Sequence, residues 1–391
     1  MIIKEIKKDM YGFVLHDWSR KLFDELIPLP DGTTYNSYFI KDNKSVLIDT
    51  ADPTKTEELF AILKEIDVAN IDYIVSNHSE QDHSGSIPAL LSAFPNAKVV
   101  TSEKGAGFLK SMLLVPQEKI MTVADGEELS LGARTLKFLH TPWVHWPETI
   151  VTFCPEEKTL FPCDFFGSHL ASSDFYARCD EKQYISSKRY YAEIMMPFRN
   201  NISRHLGLIE DLSIDIIAPS HGPVYNNPSF IIDAYKDWVS DKVKNQVVLP
   251  YVSMHGSVAK MTEFFVDELI KRGVEVKPFN LTSVDIGELA MSLVDAATLV
   301  LGSPMVLAGP HPVALYAAYL FKILRPKTRF ASVIGSFGWG GNMLKVITDM
   351  LPTQGLEVIE PVMAKGYPKE EDFVKLQNLA EEIQKRHKEL I

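Results

Sequence analysis

The chain has 391 residues, 46% of them hydrophobic and 23% charged, and a formal net charge of −11. That length fits two or three domains of an ordinary globular protein, and the acidic balance argues against broad nucleic-acid binding, which needs a basic surface. No signal-peptide core or bilayer-length apolar run is present, so no membrane association is read and the default compartment is the cytoplasm.

The first half reads as a strand-rich α/β unit. Residues 36–40 and 45–49 form paired strands around the turn Lys41-Asp42-Asn43-Lys44. A helix is predicted from Pro53 to Ile66, with Asp52 as its cap and Pro53 in its first turn. Tyr73-Ile74-Val75 is a buried strand, and it runs into His78-Ser79-Glu80-Gln81-Asp82-His83. Further strands follow at 97–101, 135–139, 150–153, 159–161 and 214–218, the last ending at Pro219-Ser220-His221-Gly222. A polar helix is expected over 237–246, and the domain boundary is placed there, giving domains 1–246 and 247–391. Beyond it, Val247 to Val252 is a strand weakened by Pro250. Val258 to Arg272 is an amphipathic helix with Gly273 at its C-cap. Strands at 297–302 and 329–335 repeat the strand-loop-helix scheme, which implies a doubly wound parallel sheet. Residues 369–390 read as a solvated amphipathic helix.

The loop after Val75 carries four metal-ligating side chains within six residues: His78, Glu80, Asp82 and His83. Loops at strand ends are where α/β folds place their chemistry. A histidine at position 80 would suit zinc, whereas Glu80 makes the pocket richer in oxygen and suits iron or manganese. Three later strand ends add His145, Asp164 and His221. Asp164 can bridge two cations roughly 3.5–4 Å apart, with His78, Glu80 and His145 on one and Asp82, His83 and His221 on the other. Each of these later residues alone is more often structural than ligating; the weight lies in the set. His169 is a candidate for the pocket lining and His140 for an outer contact. His16, His205, His311 and His387 read as ordinary surface or core histidines.

In the second half, Ser253-Met254-His255-Gly256-Ser257, followed by Val258, joins a strand to a helix N-terminus, a place that cradles phosphate. It is neither G-x-G-x-x-G nor Walker A. Ser303-Pro304-Met305 and Ser336-Phe337-Gly338-Trp339-Gly340-Gly341, with Phe337 to Gly340 at its centre, also follow strand ends and suit a flat ring held between loops. Trp339 as a core aromatic is about as probable on its own, but its glycine neighbours favour an exposed loop.

Together these residues resemble the flavodiiron proteins, also called A-type flavoproteins. The first half is similar to the metallo-β-lactamase αββα sandwich, with H-x-E-x-D-H in place of H-x-H-x-D-H, and the second to flavodoxin. The resemblance covers nearly the whole chain. It implies a non-haem di-iron centre held by His78, Glu80, Asp82, His83, His145, Asp164 and His221, and FMN held by the three loops of the second half. The activity implied is reduction of dioxygen to water, of nitric oxide to nitrous oxide, or of both. It also implies a head-to-tail homodimer, which can pair further into a dimer of dimers, and an external electron donor. The three cysteines, Cys154, Cys163 and Cys179, contain no C-x-x-C pair, so no built-in rubredoxin is read and a separate rubredoxin is the expected donor. Two departures stand out. Val258 replaces the usual threonine of flavodoxin phosphate loops, and Phe23-Asp24 stand where some members carry a histidine near the irons. Tyr191 is the expected pocket tyrosine. The rival readings are a zinc hydrolase with a regulatory flavodoxin-like domain and a non-catalytic electron carrier; Glu80 and the phosphate loop argue against the first, the complete ligand set against the second.

Overall fold

Alternation of side chains along three short strands sets the layers of the first half. In the computed structural model, which describes residues 1–352 and 354–390, Val46, Ile48 and Val75 point to one face of a sheet, while Leu47 and Ile74 point to the other. The outward set packs under the helices Thr56–Glu65, Ile87–Ala93 and Glu103–Leu113 through Leu59, Ile62, Leu90 and Leu109. The inward set meets Leu136, Phe138, Ile150 and Phe161 of a second sheet. Each such side chain, fully buried, contributes about 1.5–3 kcal/mol. The first sheet orders its strands Ile2–Lys7, Met10–Asp17, Thr33–Ile40, Val46–Ile48, Tyr73–Val75, Lys98–Thr101, Ile120–Thr122. The second runs Glu128–Ser130, Thr135–His140, Ile150–Cys154, Thr159–Phe161, Ile216–Ile217. Asp52 caps the first helical turn through the Thr54 backbone N–H, although Pro53–Lys55 is 3₁₀ and the α-helix proper begins at Thr56.

The chain divides into two units, Met1–Val239 and Ser240–Ile391. No polar helix occupies 237–246. The helix Pro228–Val239 ends there, because its apolar face of Ile231, Tyr235 and Trp238 is spent by Val239, and a strand starts at Lys244. That strand, Lys244–Tyr251, keeps Pro250 one residue from its end. It lies between Glu275–Asn280 and Ala296–Val306, and Phe330–Phe337 follows, all parallel, with Glu357–Val358 and Val362–Lys365 pairing to the last. This is the flavodoxin-like order, with the second strand at the edge and the first beside the third. Helices cover both faces. Ser257–Lys271 and Glu370–Leu390 pack on one through Met261, Phe265, Leu376 and Ile383. Ile286–Leu293, Pro312–Leu324 and Met343–Met350 pack on the other through Leu289, Ala318 and Ile347. The last helix is therefore not merely solvated; its inner stripe closes the core. Among the described residues no helix is long and apolar enough to cross a membrane.

Candidate metal centre and cofactor cleft

Four strand ends of the first unit converge. Leaving the strand Tyr73–Val75, Asn77 donates from its backbone and side-chain nitrogens to the two oxygens of buried Asp49, each at 2.9 Å. Ser220 donates to the same carboxylate at 3.2 Å. One buried acid thus fixes the segments that carry His78 and His221. Gly222 then has to be glycine: its φ is +79°, and a Cβ there would collide with the hydroxyl and carbonyl oxygens of Ser168.

The side chains aimed into the space between these ends form two groups. His78, Glu80, His145 and Asp164 bring ligand atoms within 4.8 Å of one another, and so do Asp82, His83 and His221. Asp164 faces both. Its Oδ2 lies 3.1 Å from His145 Nε2 and 3.5 Å from His78 Nε2. Its Oδ1 lies 2.9 Å from His83 Nε2 and 3.5 Å from His221 Nε2. Glu80 Oε2 sits 3.1 and 3.2 Å from the Nε2 atoms of His78 and His145. Asp82 divides its oxygens between His83, at 3.3 Å, and His221, at 3.1 Å.

Without a cation these groups lean on one another. Burial opposes protonation of His78, but hydrogen bonds to Glu148 and Glu80 outweigh it and hold the imidazole well above its usual range. For His83, burial is outweighed by the charges of Asp164 and Asp82. Burial pushes Asp164 upward, yet His83 and His145 hold it far below the usual carboxylate range. The accounting still fails in one half. Both oxygens of Asp82, Asp164 Oδ1, His83 Nε2 and His221 Nε2 are buried and have no hydrogen-bond partner among the described residues. Each such orphan costs about 1–3 kcal/mol. Convergent, unsatisfied carboxylate and imidazole atoms are what a cation relieves, and the mixed oxygen and nitrogen donor set fits iron or manganese.

The surroundings orient the ligands. His221 Nδ1 donates to the Thr34 carbonyl at 2.6 Å, which leaves Nε2 free to ligate. His78 Nδ1 donates to Glu148 Oε1 at 2.7 Å. For Glu148, burial pulls upward, but His78 outweighs it and lowers the carboxyl pKa. Trp146 packs its ring edge-on to His78 at 4.9 Å. His169 does reach the site: it pairs with Thr33 Oγ1 at 2.8 Å and its ring lies 4.9 Å from that of His221. Burial and the neighbouring His221 hold it well below its usual pKa. Phe23 packs on both rings, at 5.0 and 6.2 Å. Beside it, burial and then the charges of Glu80 and Asp82 raise Asp24.

Tyr191 does not line the pocket. It packs with Tyr235 and Trp238, 5.4 and 5.3 Å away between ring centres. The neighbouring Tyr190 faces His169 and His221 instead, at 4.9 and 6.0 Å. Successive residues near a helix end diverge by about 100°, so only one of the pair can face the metals. His140 bonds the Val123 carbonyl, and His205 the Pro142 carbonyl in the segment leading to His145.

In the second unit, loops beyond the carboxyl ends of the strands frame a cleft of about 330 Å³. Ser253, Met254, His255, Ser257, Val258, Pro304, Met305, Phe337, Gly338 and Trp339 all line it. The helix Ser257–Lys271 begins at Gly256, with φ +85° and no side chain of its own to cap it; the Ser253 hydroxyl accepts from the Ala259 N–H at 3.1 Å, which leaves the N–H groups of Ser257 and Val258 available to an anion. Ser303 is not among the lining residues. It is fully buried, its hydroxyl donating to the Pro304 carbonyl and accepting from the His311 N–H. Gly256 and Gly340 shape their loops without lining the cleft. Ser336, at the head of the expected loop, lines the cleft as well, but sequence reasoning missed Gly366-Tyr367, which follows the strand Val362–Lys365 and completes it. A glycine-aromatic pair after a strand, the signal that singled out Trp339, was there to be read. Trp339 and Tyr367 are exposed, so the cleft presents the first N–H groups of a helix and two open aromatic faces, which suits a phosphorylated flat ring.

Residues 33–222 match the model of the family described as "ODP family beta lactamase". A nitric oxide reductase of Moorella thermoacetica is 35% identical over 95% of both chains. The solved rubredoxin oxygen:oxidoreductase from the anaerobe Desulfovibrio gigas superposes with a TM-score of 0.95, at 29% identity, over 99% of both chains. The flavodiiron protein from Giardia intestinalis superposes with a TM-score of 0.90, at 26% identity, over 99% of this chain and 97% of that one.

Proposed function

Because this chain belongs to the flavodiiron protein family, we propose that it reduces dioxygen, nitric oxide or both at a two-iron site, with electrons relayed through FMN. The observation that carries the reading is Asp164, whose two oxygens face two separate sets of imidazole and carboxylate ligands. In this reading His78, Glu80 and His145 would hold one iron, Asp82, His83 and His221 would hold the other, and Asp164 would serve both. Bound iron would supply electrons and Lewis acidity to a small diatomic substrate, and bound FMN would replenish the electrons.

The chain's own contribution is arrangement. Asp49 keeps the loops of His78 and His221 in register, and the Thr34 carbonyl fixes the His221 tautomer. Phe23, Tyr190 and His169 wall the second group of ligands, keeping bulk water from that side. Holding two substrate atoms between fixed ligands makes their reaction effectively intramolecular. In the second unit, the backbone N–H groups from His255 to Val258 would hold the FMN phosphate and Trp339 and Tyr367 would flank its ring. The names of the relatives support both gases as substrates and a rubredoxin as donor. We also propose a head-to-tail homodimer in which one chain's flavin serves the partner's irons, since closed two-fold pairs are the commonest assemblies.

Reconstitution with iron and FMN under anaerobic conditions, followed by turnover of each gas from reduced rubredoxin, tests this. Uptake of two irons and one flavin per chain with gas consumption is the expected result. Preferential zinc binding with hydrolytic activity and no flavin uptake would overturn it.

A further inference from the structure

Glu148 is a buried acid outside the seven converging ligands, 3% exposed, in the turn before the strand Ile150–Cys154. Its Oε1 accepts from His78 Nδ1 at 2.7 Å and from the Ser79 backbone N–H at 3.0 Å. Two N–H donors on one oxygen mark that oxygen as an acceptor rather than a hydroxyl. The Ser102 hydroxyl donates to the Glu148 backbone carbonyl at 2.7 Å, which anchors the main chain from which the acid reaches His78.

Among the described residues, no imidazole of the other metal group makes such a hydrogen bond to an outer carboxylate, although buried Asp49 lies close enough to His83 for their charges to interact. His221 Nδ1 donates to a neutral backbone carbonyl, and His83 Nδ1 has no hydrogen-bond partner among the described residues. A carboxylate behind an imidazole increases its basicity more than a carbonyl does and fixes the ring for ligation. We propose that Glu148 is a positioning residue that makes the His78–Glu80–His145 subsite the tighter and more electron-rich of the two. The proposal rests on the two-metal reading above.

Cobalt(II) alone, titrated into metal-free protein and followed by equilibrium dialysis and visible absorption, separates the two. The wild-type chain should take up two ions in resolved steps. Glu148→Gln, nearly the same shape, should weaken the tighter step roughly 10- to 100-fold and leave the weaker step in place. In the iron-loaded protein the same change should raise the potential of one iron. Glu148→Asp keeps the charge and should lose less affinity than Glu148→Gln. Equal losses in the two variants, equal weakening of both steps, or no change would overturn the proposal. Uptake of fewer than two ions by the wild-type chain would instead sink the two-metal reading.

Discussion

Gly222 and His387 show how far single side chains constrain this molecule. An alanine at 222 meets both a left-handed backbone and the oxygens of Ser168, directly after His221, a proposed ligand. Gly222→Ala should therefore cost about 1–3 kcal/mol. It should also lower metal content, chiefly at the Asp82–His83–His221 subsite; thermal unfolding and metal analysis check both, and unchanged metal content would mean that His221 tolerates the shift. His387 is buried on the last helix, its ring nitrogens 2.7 Å from Thr298 Oγ1 and 2.8 Å from Asn245 Oδ1. Burial lowers its pKa to about 4. The unfolded side chain takes its proton near 6.5. Between those values the unfolded state binds more protons than the folded one, so stability is whole above about pH 6.5 and declines as pH falls toward 4, by up to about 3 kcal/mol. His387→Gln should flatten the pH dependence of unfolding in that window. The same slope in both proteins would show that other groups set it.

Helices and strands came out of the sequence where one periodicity ruled. Met261, Phe265 and Leu269 mark a helix with an apolar stripe, and the structure seats that stripe on the parallel sheet. Phe265 is fully buried there, so Phe265→Ala should destabilise the second unit by about 3–5 kcal/mol; denaturant unfolding measures it, and a loss under 1 kcal/mol would show that the site collapses around the cavity. The ligand run from His78 to His83 was legible because a strand and its loop are adjacent in sequence. Its partners were legible only as strand ends, since which ends converge is decided by sheet order rather than by any local signal. Tyr190 and Tyr191 could not be told apart without the helix phase, and the π-helical turn Tyr191–Met195 shifts that phase again. The strand at Lys244 was hidden because its first three residues, Lys244, Asn245 and Gln246, are polar, although Lys244 and Gln246 pair with neighbouring strands and Gln246 is buried.

At the scale of the whole molecule, the proposed assembly makes an unusual demand, because each reaction needs parts of two chains. A chain carrying Asp164→Asn would keep its flavin cleft, and one carrying Trp339→Ala with Tyr367→Ala would keep its ligands. Each variant alone should be nearly inactive. Mixed after dissociation and reassociation in equal amounts, they should recover about a quarter of wild-type activity, since half of random pairs are hybrids with one intact combination each. No recovery, with hybrids verified by mass spectrometry, would exclude exchange of electrons between chains.

The open aromatic faces of the cleft have an optical consequence. Trp339 is 66% exposed, whereas Trp238 is fully buried. A ring stacked on Trp339 would quench its emission. Trp18 and Trp143 are exposed too, so red-edge emission should fall in part as FMN is added, level off at one equivalent, and return when the flavin is stripped. Trp339→Phe would remove that component while keeping a ring in the cleft, so the difference between wild type and variant isolates cofactor occupancy in the purified protein without a label.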